Sequence, residues 1–316
     1  MNRTSLPWLM MSLVGVLIVA GCGGGATPSP TPEPTVARIK LEPTDTPVPP
    51  PPTPSPRPTA TAAPTDTPAP AATPAEAGGP TETPQPTATP KPPELSPLVE
   101  VPAGPFTFGS DAGEDDEAPS QQIELPAFQI DAFEVTNADF RQFVEATGYV
   151  TDEETRGGPG WRAYAEGKDR NPVVKVSWND AVAFCEWAGK RLPTEAEWEK
   201  AARGADGRAY PWGNDWDPAK VNGKDYGLRG TAVVGSFGDG ASPYGVQDMA
   251  GNVWEWTADW YKAYPNSTYQ DPFYGERFRA LRGGGWFETK ENLRTTNRSA
   301  NVPEAANDDI GFRCAR

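Results

Sequence analysis

Cysteine and histidine are the side chains that most often build metal sites and nucleophiles, and this 316-residue chain has three of the first and none of the second. Without imidazole there is no Ser-His-Asp triad, no Cys-His dyad, and no zinc or iron site built on histidine. Chemistry therefore falls to Cys22, Cys185 and Cys314, and to carboxylate, Tyr and Arg side chains. The net charge of −15 repels phosphate, which argues against nucleic acid as a partner and leaves cations as the natural small partners. If Cys22 is used elsewhere, Cys185 and Cys314 remain as an even pair. They are either two buried thiols or a disulfide closing a loop of about 130 residues, worth roughly 4–5 kcal/mol at most by chain entropy.

The elements that position these residues divide the chain in three. Arg3 precedes an apolar run, Leu9 to Ala20, that is too short to span a bilayer comfortably. It ends in Val19-Ala20-Gly21-Cys22, and small residues before a cysteine resemble the lipobox of bacterial lipoproteins. The resemblance implies a signal peptide over residues 1–21, acylation of Cys22 and lipid-anchored display outside the cytoplasm, with the two hydrophobic anchors that stable attachment needs. Of the 38 prolines, 24 fall between residues 23 and 97, mixed with Thr and few apolar side chains. Nothing there offsets the entropy of ordering, so residues 22–97 are expected to form a disordered, polyproline-II-biased tether, with an extended limit on the order of 230 Å. Ten of the eleven tryptophans follow residue 98, which places the one packed domain at 98–316.

Within the domain, Val99 to Phe108 reads as an opening strand with a turn at Ala103-Gly104-Pro105, followed by an acidic loop from Asp111 to Glu117. Thr136 and Asp139 make a capping-box pattern for a helix running to Thr147, with Phe140, Phe143 and Val144 on one face and Gly148 as its stop. Ser177 and Asp180 open a second helix, with Val182, Cys185 and Ala188 at helical spacing. Thr194 and Glu197 open a third, with Trp198, Ala201 and Ala202 inward. Beyond Gly204 the chain is rich in Gly, Pro, Asn and aromatics, which predicts a mixed α/β, loop-rich domain with little regular secondary structure.

Several runs resemble the formylglycine-generating enzyme (sulfatase-modifying factor) family. They are Val176 to Glu199, Tyr210-Pro-Trp-Gly-Asn214, Asp248-Met-Ala-Gly-Asn-Val-Trp-Glu-Trp256, Leu281-Arg-Gly-Gly-Gly-Trp286 and Gly311-Phe-Arg-Cys314. The resemblance covers residues 98–316 and implies a fold related to C-type lectins, with Cys185 bonded to Cys314. Family enzymes use two cysteines that bind copper(I) and activate oxygen. Here Phe287 to Arg313 contains no cysteine, and the second catalytic position falls on Thr295. Hydroxyl and carboxylate oxygens are poor ligands for copper(I), so copper is not expected. The resemblance also implies calcium, held by the Asp248 and Glu255 carboxylates and the Gly251 and Val253 carbonyls, a set suited to a hard cation. A second family site would use Asn222 and Gly223, but its acid aligns with Tyr226, with Asp225 one residue off.

These readings favour a non-catalytic binding or scaffold module on the cell surface, for an unknown protein, peptide or glycan. Candidate contacts are Trp161, Arg162, Tyr164, Trp286, Arg294 and Arg298, since aromatic and Arg side chains are common binding anchors. The alternatives are another enzyme on the same fold, built from Asp, Glu, Tyr and Arg, or formylglycine generation without the cysteine pair. Iron-dependent relatives of this fold need histidine, which is absent.

Overall fold

The computed structural model describes residues 95–316. The expected signal peptide, the expected lipidation at Cys22 and the expected tether up to residue 94 lie outside the described residues. Five helices follow one another: α1 (Asn137–Thr147), α2 (Asp152–Thr155), α3 (Arg162–Ala165), α4 (Trp178–Trp187) and α5 (Glu195–Arg203). The three longer ones start where their capping sequences put them. Thr136, Ser177 and Thr194 each accept the N–H three residues on, and the acid there accepts the cap's own N–H. Gly148 ends α1 in the left-handed region at φ 69°, where a side chain would be strained.

Eight short strands pair in three small sheets. β1 (Leu98–Val101) runs antiparallel to β4 (Phe128–Asp131), and β2 (Gly104–Phe108) antiparallel to β3 (Gln121–Leu125). The opening strand predicted over Val99–Phe108 is thus two strands with different partners, because the turn after Val101 hands the chain to a second hairpin. A four-stranded sheet has the order β7 (Arg298–Asn301), β6 (Arg279–Arg282), β5 (Trp254–Trp260) and β8 (Ile310–Gly311), with β8 parallel to β5.

Two kinds of interior result. Around α1 and α4 the core is apolar: Phe140 stacks on Phe184 with centroids 5.8 Å apart, and Phe312 meets Phe184 edge-on at 5.4 Å. The Cys185–Cys314 disulfide lies buried in this cluster, with Cα atoms 5.7 Å apart. It ties α4 to the end of the chain. Around α5 the interior is charged. Trp198, Ala201 and Ala202 point inward as the pattern requires, but Glu195, Glu199, Lys200 and Arg203 are buried with them. The Lys200 ammonium donates to the Pro102 and Gly104 carbonyls at 2.7 and 2.9 Å, which fastens α5 to the β1–β2 turn.

Candidate functional site

The segment that would carry an oxidase centre runs from Gly283 to Arg298, between β6 and β7. Arg282, at the end of β6, is fully buried and sets its course. Its guanidinium pairs with Glu199 and lies 3.6 Å from Glu195, and it donates to the Thr295 and Thr296 carbonyls at 3.0 and 3.2 Å. Glu199 also pairs with Arg203 at 2.9 Å and accepts the Gly109 N–H at 2.8 Å. Gly284 turns back at φ 77°, where a Cβ would lie 2.8 Å from the Asn292 carbonyl oxygen and 2.6 Å from a Leu293 methyl, so glycine is required.

Thr295 ends this run with no exposed surface. Its N–H donates to the Ala209 carbonyl at 2.8 Å, and its hydroxyl donates to the Arg208 and Ala209 carbonyls at 2.9 and 3.2 Å. The residue at the expected second catalytic position is a backbone tie. Next to it, Arg294 makes a two-pronged ion pair with Glu117 at 2.7 and 2.8 Å. Burial pushes the Glu117 carboxyl up, but hydrogen bonds from Arg294 and Thr296 together with the Arg294 charge outweigh it and hold the group below its ordinary value. The acidic loop is therefore partly interior: Asp115–Glu117 forms one 3-10 turn, Glu117 is buried, and Asp116 accepts from the Tyr261 hydroxyl at 2.6 Å.

The loop before β5 departs from the expected calcium set. Both Glu255 oxygens are taken, by two Arg313 nitrogens at 2.7 Å each and by the Trp198 indole at 2.8 Å. Asp248 accepts the Gly235 N–H at 2.6 Å, and its remaining carboxylate contact is Glu134, which is fully buried with one oxygen unpartnered. Burial and the neighbouring Asp248 charge push the Glu134 carboxyl well up, and burial likewise raises Asp248. The carboxylate that joins Asp248 is thus Glu134, not Glu255, because Arg313 claims Glu255. Gly251 and Val253 keep their places in the loop, with Gly251 at φ 74°. Of the four residues expected to hold calcium, Glu255 is thus the one whose carboxylate is engaged by Arg313 and Trp198. Among the described residues, no three Asp, Glu, Cys or His side chains stand together as a metal-holding group. The second expected site is also otherwise engaged: Asn222 donates to the Asn252 side chain at 3.0 Å and to the Gly230 carbonyl at 2.9 Å, and Tyr226 is 52% exposed against Phe237. Asn252, which the motif reading passed over, links these parts by donating to Glu134 at 2.9 Å. Its only local signal is a non-glycine residue at φ 63°.

The six contact candidates do not form one face. Trp161 is 1% exposed and packs edge-on against Phe140 at 5.2 Å, so it is core. Arg298 is buried between the Tyr261 and Tyr264 rings and holds Glu195 by two hydrogen bonds of 2.9 and 2.8 Å, so it is structural. Arg294 is committed to Glu117 as described. Arg162 is exposed and paired with Glu154, and Tyr164 is half-buried under the Lys175 ammonium. Trp286 is half-buried beside the exposed Phe287, its backbone N–H on the Asn252 carbonyl at 3.0 Å. Aromatic and Arg side chains serve interiors as readily as contact surfaces, and here Trp161, Arg294 and Arg298 are engaged in internal packing or ion pairs.

Comparison with known proteins places this geometry among relatives. The sulfatase-modifying factor enzyme 1-like domain family matches residues 83–316. The chain is 38% identical over 274 residues to the inactive C-alpha-formylglycine-generating enzyme 2 of Mus musculus, covering 69% of this chain and 85% of that protein. It is 37% identical over 279 residues to the formylglycine-generating enzyme of Streptomyces coelicolor, covering 69% of this chain and 88% of that one. Among solved structures it is similar to PvdO from Pseudomonas aeruginosa, with a TM-score of 0.58, 30% identity, and coverage of 72% of this chain and 99% of that one.

Proposed function

From the premise that the chain belongs to the sulfatase-modifying factor enzyme 1-like domain family, we propose that it is a surface-displayed lipoprotein whose domain binds a partner and performs no oxidation. The observation that carries this reading is Thr295, a buried hydroxyl spent on backbone carbonyls at the position where the resemblance expects a thiol. Cys185 and Cys314 are joined to each other, which withdraws the two described thiols from copper(I). Cys22 serves in this reading as the lipid attachment point, and the Pro/Thr-rich tether carries the domain away from the membrane.

One specific observation favours the second reading, formylglycine generation: a 37% identical relative carries that name. The test incubates the full chain, disulfide intact, with copper and oxygen and a peptide containing Cys-x-Pro-x-Arg, followed by mass spectrometry. No formylglycine above a protein-free control is the expected result. Conversion would replace the binding reading with an oxidase of unfamiliar design. Calcium enters only as a structural ion at Asp248 and Glu134, where two crowded carboxyls would gain from a divalent cation. Chelation should then lower the melting temperature by a few degrees and added calcium restore it, whereas an unchanged melt removes the ion from the account.

A further inference from the structure

Two clefts open side by side where α4, α5 and β5 meet, and both are lined by Thr194, the cap of α5. The first, of about 230 Å³, is walled by Trp178, Val182, Leu192 and Ala258, with the exposed Glu186 and Arg191 also lining it. The second, of about 260 Å³, is walled by Phe108, Trp260 and Tyr264, with Asp259 and Lys262 adding charge. None of these residues belongs to the segment bearing Thr295 or to the Asp248 loop.

The two tryptophans are held in a fixed arrangement. The Arg279 guanidinium lies between them, 3.6 Å from the Trp178 ring centre and 3.5 Å from that of Trp260, and it donates to the Ala258 carbonyl at 2.8 Å. The Trp178 indole N–H donates to the Thr257 carbonyl at 2.7 Å. Each ring has one face on Arg279 and still borders a cleft, so a ligand meets two preset aromatic surfaces without the entropy of ordering them.

Apart from the exposed Glu186, the charges around these surfaces are already engaged. Arg191 is bound through two nitrogens by Glu197 at 2.7 and 2.6 Å, and Lys262 pairs with Glu276 at 2.9 Å. Glu195 is held by Arg298, and Asp259 accepts the Glu195 N–H at 2.7 Å and lies within the field of Arg279. A cationic peptide would find Glu186 as the one unengaged acid among the lining residues, and an anion would meet Asp259 and Glu195. What the groove offers is two aromatic faces with hydrogen-bonding groups that both donate and accept, and little surplus charge. That pattern suits a molecule with apolar C–H faces and many neutral hydroxyls.

We propose that this paired cleft is a binding site for a neutral oligosaccharide, laid along Trp178 and Trp260 and crossing Thr194. It rests on the reading of the domain as a non-catalytic binding module and gives that module its ligand class. No bound cation takes part, since the groove residues are separate from Asp248 and Glu134.

Isothermal titration of the full chain with cellohexaose, chitohexaose and mannohexaose tests it. At least one should bind in the presence of chelator, and Trp178→Ala and Trp260→Ala should each weaken it by about tenfold or more. Phe287→Ala, at an exposed site on the β6–β7 segment, should leave binding unchanged, and thermal melts establish that each variant is folded. Binding lost in Phe287→Ala but kept in both tryptophan variants would overturn the assignment, as would the absence of binding to all three sugars. If the cysteine peptide is also left unconverted, that failure sinks the sugar site alone and the non-catalytic reading stands. Conversion of the peptide sinks the reading on which the site rests.

Discussion

Helices α4 and α5 start with the same capping device and are joined by one corner, yet they hold the domain together in opposite ways. Helix α4 buries Phe184 among aromatic rings and a disulfide, while α5 buries Glu195, Glu199 and Arg203 among the arginines of β6 and β7. Apolar packing resists change in volume but cares little which atom touches which. A buried ion pair is directional and costs several kcal/mol if one member is removed, although it adds little over a well-packed apolar substitute. The apolar half thus supplies stability, and the charged half dictates the course of the β6–β7 segment.

The largest expected effect lies in the apolar half. Replacing Cys185 and Cys314 together by Ala releases a 129-residue link and should cost roughly 2–5 kcal/mol in urea unfolding, with the whole domain melting earlier. Next comes Arg282→Met. Glu199 keeps Arg203 and Glu195 keeps Arg298, so the loss should sit at the lower end, about 3 kcal/mol. Its signature should be local: amide exchange at Thr295 and Asn297 should speed up before the amides of α4 do. Protection at Thr295 equal to wild type would break the division of labour drawn here.

The smallest effect sharpens the same contrast through pH. The Glu117 carboxyl titrates lower in the folded domain than its ordinary value, so the unfolded state binds its proton first as pH falls. Its contribution is therefore complete above about pH 5 and lost as pH drops through the folded value. Glu117→Gln should cost about 1–2 kcal/mol near neutral pH and nothing further in acid, where wild type has already lost the same contribution. Parallel acid-unfolding curves for the two proteins would show that Arg294 does not depend on the Glu117 charge.

Much of this was written locally. The capping boxes at Thr136, Ser177 and Thr194 need only residues three apart, so they could be read before any packing was known. The same device stands at Thr151, but no apolar run follows it to announce a helix. The family motifs were also in the sequence, along with the lack of a thiol near Thr295. Residue type alone does not separate contact from core: Trp161 and Arg298 have the chemistry of contact residues but occupy the interior.

The sequence by itself settled the loop-rich mixed domain, the places where its main helices begin, and the absence of histidine and of a cysteine pair after β6. Only the tertiary structure decided which charges meet. Glu117 reaches Arg294 across 177 residues, Glu195 reaches Arg298 across 103, and Arg313 reaches Glu255 across 58. A cap is fixed by the geometry of one helical turn, whereas a buried carboxylate takes whichever partner the packed chain brings within about 3 Å, and no rule of spacing relates the two.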